Sequence, residues 1–125
     1  MKSKIAYIAH PISGDVSGNI QKILNIVRDI NLTKPDVVPF APYIADVLIM
    51  DDSKPEERSI GICNDLKILK SGIISELWIY GERVSGGMQA EILLAEELCI
   101  PIVLMDPKTD VPVSLLNKIT KIGFE

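Results

Sequence analysis

Short apolar runs alternate along this chain with stretches whose apolar residues recur at helical spacing, and that alternation restricts the fold more than any other feature. The runs cover residues 4–9, 36–40, 73–80 and 101–105. Strands that are apolar without interruption are buried on both faces, as in parallel sheets. Between the first two, Ile20, Ile23, Leu24, Val27 and Ile30 mark a helix that Asp15 or Ser17 can cap. Ile44, Val47, Leu48 and Met50 predict a short second helix. A third enters at Pro55 and runs to about Lys70, with Ile60, Cys63, Leu66, Ile68 and Leu69 available for burial. The fourth spans 88–98 and carries Met88, Ile92, Ala95 and Cys99 along one stripe. Residues 113–120 predict a last helix and 122–124 a closing edge strand. The order gives an α/β domain: an open parallel sheet of four or five strands, the first one central, with right-handed crossovers and helices on both faces.

The chain has 125 residues, enough for one core. Hydrophobic residues make up 47% and charged residues 24%, so a folded domain is expected rather than disorder. The net charge of −4 argues against a nucleic-acid duplex as partner. No apolar run approaches the roughly 20 residues of a membrane span, so no membrane association is expected. The apolar stretch after Lys4 is too short for a secretory signal core, and a cytoplasmic protein is expected. Cys63 and Cys99 form neither a disulfide framework nor a CxxC pair, and one histidine cannot build a His-rich metal site. Neither a metal nor a cofactor is implied.

In sheets of this kind, ligands bind beyond the carboxyl ends of the strands. Here those ends are residues 10–14, 40–43, 81–87 and Asp106. The most informative segment is 80–91, a strand, a Ser85-Gly86-Gly87 turn and a helix. Free amides at a helix start, with glycines that permit close approach, suit a phosphate or carboxylate. Glu91 follows about one turn into that helix, where the helix dipole favours its ionised form. Taken alone, the segment reads first as an ordinary βα loop with a surface glutamate, because short glycine motifs are weak signals. Asp65 lies between apolar positions, facing either the sheet surface or solvent. Taken alone, Tyr7 reads first as core and His10 as a satisfied loop histidine, with a site role as the alternative for each. Trp78 and Met88 suit the core, and Asp51, Asp52 and Arg58 read as solvated loop charges.

Three motifs in this order change the weighing. They are Tyr-Ile-Ala-x-Pro-Ile at 7–12, Asp65-Leu66-x-x-Leu69, and Ser85-x-Gly87-x-x-x-Glu91. Together they make the chain resemble the nucleoside 2-deoxyribosyltransferase-like family over about residues 4–105. The family's nucleotide N-hydrolases and small phage and bacterial relatives are included, and 76–91 is most similar to the latter. The resemblance implies a Rossmann-like or flavodoxin-like fold and cleavage or transfer at the N-glycosidic bond of a (deoxy)nucleoside or nucleoside 5′-monophosphate. It makes Glu91 the nucleophile at the anomeric carbon, gives Asp65 the departing base, and sets Tyr7 beside the sugar and Glu91. Ser85, Gly86 and Gly87 would hold the 5′ end, with His10, Pro11 and Met88 completing the substrate-binding set. Many members of that family carry glycine where this chain has His10. A homodimer or larger homo-oligomer is also implied. The alternative function is a module that binds or sequesters a nucleotide or nucleotide-derived signal without turnover. A purely structural subunit is a third possibility.

Overall fold

The computed structural model describes residues 4–51 and 53–124; Asp52, expected as a solvated loop charge, lies outside them. Strand β1 (Lys4–Ala9) leads through α1 (Val16–Thr33) to β2 (Val37–Phe40). Helices α2 (Ile44–Ile49) and α3 (Pro55–Lys70) return the chain to β3 (Glu76–Ile79). Then follow α4 (Gly86–Glu97), β4 (Ile102–Leu104), α5 (Val113–Leu116) and β5 (Lys121–Ile122). All five strands are parallel, in the order β2-β1-β3-β4-β5. The β1 strand is therefore interior, as its apolar sequence requires, but β3 holds the middle place. Because the chain runs outward from β1 to β2 and then crosses back to β3, the order reverses between β1 and β3. A crevice opens at the carboxyl ends of strands at such a reversal.

Alternation along the strands divides the core in two. Tyr7, Ala9, Leu77 and Ile79 face one side, with Leu69 of α3 and Met88, Ile92 and Ala95 of α4. Ala6, Ile8, Trp78 and Val103 face the other, with Ile30 of α1. Local chemistry fixes the helix ends. Asp15 accepts a hydrogen bond from the Gly18 amide at 3.1 Å and caps α1. Pro55 occupies the first turn of α3, with Glu56 and Glu57 there and Lys67 and Lys70 in the last turn, each matched to the helix dipole.

Several elements depart from their sequence expectation. Leu24, Ile60 and Cys63 are exposed, because each helix buries a narrower stripe than its apolar content suggests. Cys99 is also exposed. Its φ of +60° places it in the left-handed position that ends α4, where Ile100 N donates to Ala95 O and Cys99 N to Glu96 O. Pro39 lies within β2, which an edge strand tolerates. Helix α4 begins two residues earlier than its apolar stripe, at Gly86, because Ser85 supplies the cap. Strand β3 and helix α5 are shorter than the apolar runs that contain them.

Candidate active site

A cleft of about 740 Å³, including its open mouth, occupies the crevice beyond β1 and β3. The β1–α1 loop supplies His10, Ile12 and Ser13, α2 and α3 form one wall, and the start of α4 closes the floor with Ser85, Gly87, Met88 and Glu91. The β1–α1 loop is held from two sides. Arg83 Nη2 donates to Ser13 O at 3.1 Å, and Asn19 Nδ2 donates to Ile12 O at 2.9 Å.

Glu91 is 6% exposed and receives a 2.5 Å hydrogen bond from the Tyr7 hydroxyl on β1. Burial pushes the Glu91 carboxyl from an ordinary 4.5 up to about 8; the Tyr7 bond opposes the rise and the nearby Asp65 charge adds to it. The helix start does not keep Glu91 ionised, contrary to the sequence expectation. Glu91 lies in the second turn of α4, beyond the reach of the free amides, and desolvation outweighs the dipole. Burial first, then Glu91 and Asp65, drives the Tyr7 hydroxyl far above its usual range, so it remains a donor. Tyr43, after β2, packs its ring 6.1 Å from that of Tyr7 and donates to Ile8 O at 2.5 Å.

Asp65, on α3, lines the same cleft. Its Oδ1 is buried and has no hydrogen-bond partner, a condition that native sites reserve for ligands or water. Burial, then the charge of Asp46, raises this carboxyl from 3.8 to about 7. Asp46 in turn accepts a 3.3 Å bond from Asn64. His10 is 7% exposed, and its Nδ1 lies 2.7 Å from Pro11 O. Burial lowers the basicity of the ring. Gly81 (φ +100°) passes so close that a Cβ there would lie 2.4 Å from Pro11 Cδ.

The structure thus gathers Glu91, Asp65, His10, Ser85, Gly87 and Met88 around one cleft. Three expected residues stand off it. Tyr7 is fully buried and reaches the cleft only through Glu91. Pro11 braces His10 from behind, and Gly86 is exposed outside the wall. The turn is also less open to an anion than its sequence suggests. Ser85 Oγ accepts from Met88 N at 3.3 Å, and Ser85 N donates to Met88 Sδ at 3.4 Å. Arg58, expected as a solvated loop charge, is exposed yet lines the cleft, as do Asp46, Glu57, Ser13 and Tyr43. A signal for Tyr43 was present in its place just after β2, at a strand's carboxyl end. Nothing in the spacing marks Asp46 or Arg58. Among the described residues, no group of three or more His, Cys, Asp and Glu side chains is arranged to hold a metal ion.

Fold and cleft together define an α/β protein of the flavodoxin-like nucleoside deoxyribosyltransferase fold. The chain belongs to a family described as a domain of unknown function (DUF7768), whose model matches residues 4–105. No curated protein matches it. Among solved structures it is similar to a 2-deoxyribosyltransferase from the psychrotolerant bacterium Bacillus psychrosaccharolyticus, with a TM-score of 0.59 at 16% identity. The match covers 92% of this chain and 82% of that one. Among the described residues, no helix is long and apolar enough to cross a membrane.

Proposed function

We propose that this protein cleaves or transfers at the N-glycosidic bond of a nucleoside or nucleoside 5′-monophosphate, with Glu91 as nucleophile. The observation that carries the reading is a pair of carboxyls in one cleft, both raised into the neutral range by burial. Breaking this bond builds positive charge on the sugar and negative charge on the base. One carboxylate must meet the first and one acid must neutralise the second. The reactive form is the one in which the two carboxyls share a single proton and it rests on Asp65. Glu91, ionised in that form, attacks the anomeric carbon through one oxygen, as the bond from that carbon to the base nitrogen breaks. Protonated Asp65 gives its proton to the departing base. Its partnerless Oδ1 supplies a polar contact there. Tyr7 is a positioning residue: it holds Oε2 and orients the carboxylate from behind.

The fold shared with a deoxyribosyltransferase supports a small-molecule nucleoside substrate. Arg58, the one Lys or Arg lining the cleft among the described residues, offers a place for a 5′-phosphate. Exposed Leu48 and Ile49 on α2 and Ile60 on α3 belong to the wall-forming helices and favour association with a second copy.

The test is release of free base from a panel of ribo- and deoxyribonucleosides and their 5′-monophosphates. Glu91→Gln keeps the shape and removes the charge. It is expected to lower the rate on the order of 10³-fold or more while leaving affinity within a few-fold. Release by the variant within a few-fold of wild type would remove Glu91 from the chemistry. Tight binding by wild type with no release from any compound would establish the sequestering module instead.

A further inference from the structure

We propose that His10 is the general base that brings water to the sugar held on Glu91, so that this chain is a hydrolase rather than a transferase. The inference rests on the N-glycosidic reading above and adds to it the identity of the acceptor.

The tautomer of His10 follows from its neighbour. A carbonyl oxygen can only accept, so the 2.7 Å contact from Nδ1 to Pro11 O requires a proton on Nδ1. In the neutral ring Nε2 then carries a lone pair. No hydrogen bond engages Nε2 among the described residues, and unlike Asp65 Oδ1 it is not sealed from solvent. The ring as a whole is 7% exposed, and it lines the cleft that also holds Glu91. His10 thus brings a proton-accepting nitrogen without a partner among the described residues to the cleft that also holds the nucleophile.

The ring is also fixed in orientation. Its Nδ1 is tied to Pro11 O, Pro11 is itself buried, and a Cβ on Gly81 would stand at ordinary contact distance, 3.5 Å, from His10 Cδ2. Burial favours the neutral base. Lys22 of α1 acts in the same direction, while the Pro11 contact and Asp106, beyond β4, oppose it. A space-filling histidine needs neither a fixed tautomer nor an open Nε2. A general base needs both, together with a place within one water of the reacting atom.

The step balances with water alone. After the base has left, the sugar is an ester of Glu91 through its anomeric carbon. The oxygen of water bonds to that carbon, and the carbon–oxygen bond to Glu91 breaks with its electron pair returning to the carboxylate. The proton of water passes to His10 Nε2 and then to solvent. Asp65, which gave its proton to the base, regains one from solvent. The products are free base and free sugar, or free sugar 5-phosphate when the substrate is a monophosphate.

The experiment follows three products, free base, free sugar and base-exchanged nucleoside, with a second free base present in excess. Wild type is expected to give free sugar as its main sugar product. His10→Gly opens a space for exogenous imidazole, and His10→Asn keeps a donor toward Pro11 O without the base. Both are expected to release one equivalent of base rapidly and then to form free sugar about 10²-fold more slowly. The stalled protein should carry the mass of one sugar, and imidazole should restore turnover in His10→Gly alone. Free sugar formed at the wild-type rate by either variant would overturn the assignment while leaving Glu91 its role. So would exchange as the dominant wild-type product, a measurement that needs no variant to fold. Absence of base release by wild type would overturn this inference and the N-glycosidic reading together.

Discussion

Glu91 and Glu76 show how far surroundings alone separate two identical side chains. Both are buried carboxyls. Burial pushes Glu76 up as well, but Trp78 Nε1 at 2.7 Å, Lys4 at 3.1 Å and Lys121 at 3.5 Å outweigh it, and its acidity ends below the usual range. Glu91 has only a phenol in compensation and stays high. The consequence for stability has a definite sign. Because the folded protein holds protons on Glu91 and Asp65 up to about pH 8 and 7, it binds more protons than the unfolded chain from about pH 4 upward. Stability from this pair is therefore present at low pH and declines as pH rises through that window. Glu91→Gln and Asp65→Asn are expected to flatten the decline and to raise the Tm at pH 8.5 by about 4 °C or more, the effect of roughly 1 kcal/mol. Thermal melts at pH 5 and 8.5 measure it; an equal or larger gain at pH 5 would contradict the assignment. The sequence exposed these residues unevenly. Glu91, Asp65 and His10 stand in motifs whose spacing could be read. Their protonation could not, because it depends on burial in the folded core, on the Tyr7 bond and on the charge of Asp46, all brought in from other elements. Asp46 and Arg58 carry no pattern at all, since the α2–α3 wall exists only after the chain has crossed back over β1.

The same contrast holds among the elements. Strand β1 was legible to the residue, because a strand buried on both faces leaves no ambiguity of pattern. The termini of α4 were not. Its start is fixed by Ser85 rather than by the apolar stripe, and its end by a backbone turn at Cys99 that hydropathy does not encode. That turn carries a cost. A side chain in the left-handed region is less stable than glycine by about 1–2 kcal/mol, and glycine's greater freedom in the unfolded chain offsets part of the gain. Cys99 is exposed, so its side chain contributes little packing in return. Cys99→Gly is expected to stabilise the protein by about 0.5–1 kcal/mol, with base release unchanged, since α4 ends far from the cleft along its own axis. Denaturant unfolding provides the check, and a lower midpoint would mean that the Cys99 side chain makes a contribution the turn geometry does not reveal.

For the whole molecule, the parallel sheet, the interior place of β1 and the cleft at the carboxyl ends of the strands followed from alternation and crossover rules, whereas the middle place of β3 and the mode of assembly leave little trace in the sequence. If copies associate as proposed, the exposed apolar side chains of α2 would place the contact on the helical wall of the cleft. A dimer or larger assembly is expected by sedimentation, and Leu48→Glu with Ile49→Glu should shift it toward the monomer; a wild-type monomer at micromolar concentration would rule this out. The rims of the sheet have a different character. Lys4 N donates to Asp36 O, so Asp36 and its alternates turn toward β1, whereas Val37 N turns outward and is taken up by Lys34 O. By that alternation, the next outward-facing backbone nitrogen is that of Pro39, which has no hydrogen to give. At the opposite rim, β5 is two residues long. A passing strand would find no run of open donors on one border and almost no length on the other. Copies of this chain are thereby discouraged from growing into a continuous ribbon, and are left to meet through side chains, in contacts that can close and stop.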